Sequence, residues 1–301
     1  MNRVLLAASM IVFGTLLAEA NAEEVRLFQA SKAGEEAWVW GGARVKRKGD
    51  KLVVTLHDKE KGAGDTYVAT RFPYLPNGKI ELAVSEVLHG DYTLQVLGFR
   101  NNAHVDTAEV VAHSTVPAKK SFLLKDAGLT KAVDEIVLKV WVGGANDAAF
   151  VIEDLTYSFA LDGHEVLLDE RFQNMDSWQN ESLVLKVTGE GAVLSLKPDT
   201  TYGSILLGKR IARQEGLTLL CNIARIDNGD ATLQFVGFDK DGTYVKSIDG
   251  VKNVRGGWYA INFPLAGWPA DVESFQIKLW VGGNPEVTAR FGRLLIVKPS
   301  S

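Results

Sequence analysis

The chain has 301 residues, 46% of them hydrophobic and 23% charged, a balance that specifies folded domains rather than disorder. Its formal net charge is only -4 and no block of five or more like charges occurs, which excludes the electrostatic footprint of a nucleic-acid binder or of a surface that docks on anionic lipid. Partners are expected to be neutral or small.

The chain opens Met1-Asn-Arg3, continues with an apolar run from Val4 to Leu17 and reaches Ala-Glu-Ala-Asn-Ala at Ala22. A basic start, a short apolar run and a small-x-small end predict a cleaved secretory signal over 1–22, too short to span a bilayer. The mature chain is then expected to start at Glu23 and to work in the periplasm, at the cell surface or in the medium, without a transmembrane anchor. Asn180-Glu-Ser182 matches a glycosylation acceptor, read as chance beside a bacterial-looking signal.

From Glu23 onward the segments are short, rich in Val, Ile, Leu, Phe and Thr, and bounded by Gly, Asn, Asp or Pro. That pattern predicts strands joined by turns, and no helical stripe longer than two turns stands out. Gly49-Asp-Lys-Leu-Val-Val-Thr-Leu56 returns as Gly189-Glu-Gly-Ala-Val-Leu-Ser-Leu196, and Trp38 as Trp178, both 140 positions later. Gly90-Asp-Tyr-Thr-Leu-Gln-Val-Leu-Gly-Phe99 returns as Gly229-Asp-Ala-Thr-Leu-Gln-Phe-Val-Gly-Phe238, 139 positions later. Leu138-Lys-Val-Trp-Val-Gly-Gly144 returns as Ile277-Lys-Leu-Trp-Val-Gly-Gly283 at the same offset. Blocks in one order at a nearly constant offset mean an internal duplication. The expected architecture is all-β: two tandem antiparallel β-sandwich domains, 23–160 and 161–301, of eight to ten strands each. The link Leu161-Asp-Gly-His-Glu165 has no Pro/Ser/Gly-rich tract, so the domains should lie close together. The single Cys221 sits in an apolar run and reads as a buried thiol.

Side chains alternate faces along a strand, which turns the blocks into a map. Ile136, Leu138, Val140 and Val142 share the inward face, leaving Val137, Lys139 and Trp141 outward; Phe275, Ile277, Leu279 and Val281 leave Gln276, Lys278 and Trp280 outward. Leu94 and Val96 face in against Thr93 and Gln95, as Leu233 and Phe235 do against Thr232 and Gln234, with Leu97, Phe99, Val236 and Phe238 adding apolar area to the outward face. A pyranose has C–H groups that pack on an indole and hydroxyls that need amide or ammonium partners. Trp141 with Lys139 and Gln95, and Trp280 with Lys278 and Gln234, are the candidate ligand platforms. The competing expectation makes these tryptophans a second core, covered by a loop or by the sister domain. Trp38, Trp178, Trp258 and Trp268 are assigned to the core, the last in a loop framed by Pro264 and Pro269.

The closing segments, Val137-Leu-Lys-Val-Trp-Val-Gly-Gly144 followed by Ala149-Phe-Val-Ile-Glu-Asp-Leu-Thr-Tyr157, resemble those of the jelly-roll carbohydrate-binding modules of the galactose-binding-like type. Gly257-Trp-Tyr-Ala-Ile-Asn-Phe263 and the opening Leu168-Asp-Glu-Arg-Phe-Gln-Asn-Met-Asp-Ser-Trp178 are similar to further blocks of that family. The resemblance implies jelly-roll domains, glycan or polysaccharide binding on a sheet face, and a structural calcium between an opening acid and a closing acid. The acids here do not pair up: the first repeat has Glu153 and Asp154 without a clear opening acid, and the second has Asp169 and Glu170 against Gly292 and Arg293. Asp239-Lys-Asp-Gly242 is read as a tight turn rather than a calcium loop. No cofactor or metal site is expected.

All five histidines, His57, His89, His104, His113 and His164, lie in or beside the first repeat, and no catalytic motif is recognisable. Glu81, Glu86 and Asp91 read as surface or turn acids. The function expected is a non-catalytic, exported carbohydrate-binding protein. The alternatives are a structural or assembly protein that packs against other extracytoplasmic proteins and, third, a glycan-active hydrolase.

Overall fold

A computed structural model describes residues 23–57, 59–180, 182–252, 256–263 and 267–300. The signal assigned to 1–22, Glu181 of the Asn-Glu-Ser triplet, and Pro264 of the loop that carries Trp268 lie outside the described residues.

The first half begins with β1 (Glu24–Gln29), β2 (Trp38–Trp40), β3 (Ala43–Lys48), β4 (Lys51–Leu56), β5 (Ala63–Val68) and β6 (Phe72–Pro73). It continues with β7 (Gly78–His89), β8 (Asp91–Arg100), β9 (Ala103–Ser114), β10 (Ala118–Leu123), β11 (Glu135–Gly143) and β12 (Ala149–Ala160). The second half repeats the series as β13 (His164–Glu170), β14 (Trp178–Asn180), β15 (Leu183–Thr188), β16 (Gly191–Leu196), β17 (Tyr202–Leu207) and β18 (Ile211–Ala212). It ends with β19 (Thr218–Asp227), β20 (Asp230–Phe238), β21 (Tyr244–Val251), β22 (Gly257–Asn262), β23 (Ser274–Gly282) and β24 (Thr288–Pro299). Each half thus has twelve strands among the described residues rather than eight to ten. The surplus lies in β2, β6, β14 and β18, pieces of two or three residues too short to show a period.

All pairings are antiparallel, and the two halves share one topology. Sheets β10-β7-β12-β4-β3 and β2-β5-β11-β8-β9 make the first sandwich, with β1 and β6 added beside β12 and β11. Sheets β15-β16-β24-β19-β22 and β14-β17-β23-β20-β21 make the second, with β13 and β18 added in the same places. The alternation read from sequence sets the inner faces: Leu94, Val96, Ile136, Leu138, Val140 and Val142 are buried in the first core, and Leu233, Phe235, Phe275, Ile277, Leu279 and Val281 in the second. Trp38, Trp178 and Trp268 are buried in these cores, Trp268 among Phe235, Phe263 and Phe275. Cys221 is fully buried, and burial pushes its thiol up to about 12, which makes it inert.

The halves differ on the outer face of the β24 sheet. Leu294 to Val297 are buried without a break, as Leu155 to Phe159 are on β12, but the outward residues differ in chemistry and in what they pack on. Leu219, Cys221, Leu294 and Ile296 join the second core, whereas Leu220, Leu295 and Val297 join the first half's core, with Trp258 and Ala260 packed against it. The matching positions of the first half, fixed by Thr156 pairing with Glu81 as Leu295 pairs with Leu220, are polar: Glu81, Thr156, Ser158 and Ser121. One face of the duplicated sheet is therefore an apolar contact between the halves, and its twin is a polar face. Trp258 belongs to this contact and is half-buried rather than a core residue of its own sandwich.

Candidate functional site

The outer face of the β11 sheet brings the three predicted residues of the first half together. Cross-strand register sets Lys139 opposite Gln95 and Trp141 opposite Thr93 and Asp65. The Trp141 indole N–H donates to Gln95 Oε1 at 2.8 Å, and Gln95 Nε2 donates to Glu109 Oε1 at 2.9 Å. Lys139 Nζ lies 4.5 Å from the centre of the Trp141 ring and 2.6 Å from Asp65 Oδ2. The indole is thus held at its N–H by an amide, which is itself held by a carboxylate, while an ammonium backs one of its faces.

The second half repeats the constellation. Trp280 Nε1 donates to Gln234 Oε1 at 3.2 Å, Gln234 Nε2 to Asp249 Oδ1 at 2.9 Å, and Lys278 Nζ stands 4.5 Å from the Trp280 ring centre. Both tryptophans are half-buried. The sister half packs on the outer face of the β24 sheet instead, and neither tryptophan belongs to a buried core cluster.

Trp141 and Gln95 line a groove of about 310 Å³ together with Ala63, Asp91, Thr93, Glu109, His113 and the Gly143-Gly144 loop. Lys139, although predicted as a ligand group, is not on this lining: it stands two residues back along β11, paired with Asp65. Its ammonium lies against the ring. Sequence reasoning read Asp91 as a surface or turn acid and missed Glu109, Ala63 and His113 at the site, because they come from β5 and β9, whose register no local pattern states. His113 does carry a structural signal. It has φ of 45°, in the left-handed region, its N–H donates to Thr93 Oγ1 at 3.0 Å and its ring Nδ1 lies 3.1 Å from Asp91 Oδ2. The conformation belongs to the bulge of β9 opposite Tyr92 and Leu94.

The twin site departs at one wall. Where Ala63 pairs with Gly143, Tyr202 pairs with Gly282; Tyr202 is 65% exposed and its ring centre lies 5.8 Å from that of Trp280. The first half offers a groove beside one indole and the second a pair of aromatic rings. The apolar residues Phe99 and Phe238, which complicated the outward face, lie under the guanidinium groups of Arg71 and Arg210 at 4.1 and 4.0 Å.

The place implied for calcium is taken up by protein contacts. In the second half Asp169 accepts from Arg293 Nε at 2.8 Å and from Arg171 Nε at 3.1 Å, and in the first half Asp154 accepts from Gln29 Nε2 at 2.8 Å. Asp239 Oδ1 accepts from the N–H groups of Asp241 and Thr243, which makes 239–242 the tight turn between β20 and β21. Among the described residues no group of three His, Cys, Asp or Glu side chains could hold a metal ion. Among the described residues no helix is long and apolar enough to cross a membrane.

Burial pushes the Asp169 carboxyl up, but the hydrogen bonds and charges of Arg293 and Arg171 outweigh it and hold the group below its ordinary value. A depressed carboxyl contributes stability above its unfolded value of about 3.9, and loses it as pH falls through the folded value. Asp169→Asn should therefore lower the urea midpoint at pH 7 by an amount that shrinks towards zero as both proteins are taken down to about pH 2. A pH-independent gap would show that the charge is not what Arg293 uses.

No family model matches the chain, and no curated protein matches it. Among solved structures it is similar to the N-terminal CBM22-1-CBM22-2 tandem domain from Paenibacillus barcinonensis Xyn10C, at 13% identity over 94% of this chain and 100% of that one, with a TM-score of 0.32. It is similar to a xylan-binding module, CBM15, at 13% identity over 46% of this chain and 99% of that one, TM-score 0.32. It is also similar to an F-lectin from striped bass (Morone saxatilis) serum, at 10% identity over 89% and 88%, TM-score 0.24. Scores of this size carry no functional argument, and the site has to be read from its own geometry.

Proposed function

We propose that the chain is an exported, non-catalytic protein that binds glycan on the outer faces of the β11 and β23 sheets, with domains 23–160 and 161–301 behind a signal over 1–22. One observation carries this reading: the same relay of carboxylate, amide and indole, Glu109–Gln95–Trp141 and Asp249–Gln234–Trp280, stands on both outer faces. An indole locked at its N–H is a preorganised platform for the C–H face of a pyranose, and oriented acceptors beside it suit the sugar's hydroxyls. Assembly with other extracytoplasmic proteins is favoured by a different observation, the exposed apolar side chains Val184 and Val187 on the edge strand β15.

A polysaccharide and oligosaccharide array probed with residues 23–301 separates the two. The expected result is saturable binding to a defined glycan class. A blank across the array removes the glycan reading and leaves assembly.

A further inference from the structure

Resting on the glycan-binding reading, we propose that the first-half groove selects glycans without negative charge and turns away those bearing uronate or sulfate. Its lining has two carboxylates, Asp91 and Glu109, against one basic side chain, His113, which is already paired with Asp91. Lys139, the cation nearest to the indole, is neutralised by Asp65 at 2.6 Å with both side chains largely buried. Gln95 uses its oxygen on Trp141 and one N–H on Glu109, so the amide is oriented and acceptors dominate the wall. Gly144, at φ of +79°, brings its backbone beside Asp91; a Cβ there would lie 3.3 Å from Asp91 Oδ2.

A wall of acceptors matches sugar hydroxyls, which donate. A ligand carboxylate would meet like charge from Asp91 and Glu109, and the one basic side chain of the lining, His113, is already paired. The duplication supports this reading. Asp230 stands where Asp91 does, against Gly283 as Asp91 is against Gly144, and Asp249 takes the place of Glu109, although Ala63 has given way to Tyr202. The acids were kept while the shape changed.

The test is calorimetric titration of the full chain with matched probes: xylo-oligosaccharides with and without glucuronate, and oligogalacturonates with and without methyl esterification of their carboxylates. The uncharged member of each pair should bind at least about tenfold tighter at low salt, with a gap that narrows as salt is raised. The gap should close in the double variant Asp91→Asn/Glu109→Gln. All titrations are made in a Trp280→Ala background, so that the binding lost on adding Trp141→Ala is the signal of this groove. Uronate probes that bind as tightly as their neutral partners and still need Trp141 would overturn charge selection and leave glycan binding standing; so would a gap unchanged by the double variant. If no probe binds, the glycan reading fails and charge selection falls with it. Should the double variant not fold, the salt dependence of the gap with Asp91 and Glu109 in place decides.

Discussion

Leu220→Glu will cost about 3–5 kcal/mol of stability and split thermal unfolding into two transitions, one for each half. Leu220 is fully buried and belongs to the first half's core although it lies on β19 of the second. The substitution restores the residue type of its twin, Glu81, which is partly exposed and paired with Lys79 at 2.7 Å. In the contact with Leu295, Val297 and Trp258 the new carboxylate meets apolar surface on both sides and loses its hydration without gaining a partner. The reverse change, Glu81→Leu, should move stability by no more than about 0.5 kcal/mol, because that face is not an interface. Differential scanning calorimetry measures both. A single transition with a loss below about 1 kcal/mol in Leu220→Glu would show that the halves do not depend on this contact.

Trp141→Ala should weaken glycan binding at its site by at least about 100-fold, the loss expected for a central aromatic anchor. Folding should survive, at a cost of about 1–2 kcal/mol against the 3–5 kcal/mol typical of a buried tryptophan such as Trp268, because the Trp141 ring is only half-buried. With two platforms the single change halves the stoichiometry rather than abolishing binding, and Trp141→Ala/Trp280→Ala abolishes it. Titration with the best glycan, beside urea denaturation of each variant, gives affinity, stoichiometry and stability together. Full binding in the double variant would remove the tryptophans from the site, and a stability loss near 5 kcal/mol in Trp141→Ala would mark it as packing.

Period-two alternation and the offset of 139 or 140 were enough to divide the chain, assign inner and outer faces and put Trp141 with Lys139, and Gln95 with Thr93, on one face. These are local properties: a strand alternates whatever it pairs with, and a duplication repeats its blocks wherever they fold. The β-sandwich class follows from the same signals. What Lys139 touches is not local. Asp65 lies 74 positions earlier in the chain and reaches Lys139 only through the pairing of β5 with β11, so the ion pair beside the ring had no local signal. Glu109, His113 and Ala63 entered the groove by the same route, through registers and a bulge in β9 between the partners of Tyr92 and Leu94.

The contact between the halves had a trace in the sequence: Leu294-Leu-Ile-Val297 runs apolar where Leu155-Thr-Tyr-Ser158 alternates. That run says the strand is covered on both sides. It cannot say by what, because the cover comes from the first half, whose approach depends on how two finished sandwiches meet. Alternation in the sequence assigned the two sides of each strand, although Val137, Thr93 and Gln276 on the outward side are buried. The tertiary structure decided which outward face became an interface and which stayed open beside an indole, since burial of an outer face belongs to the partner that covers it.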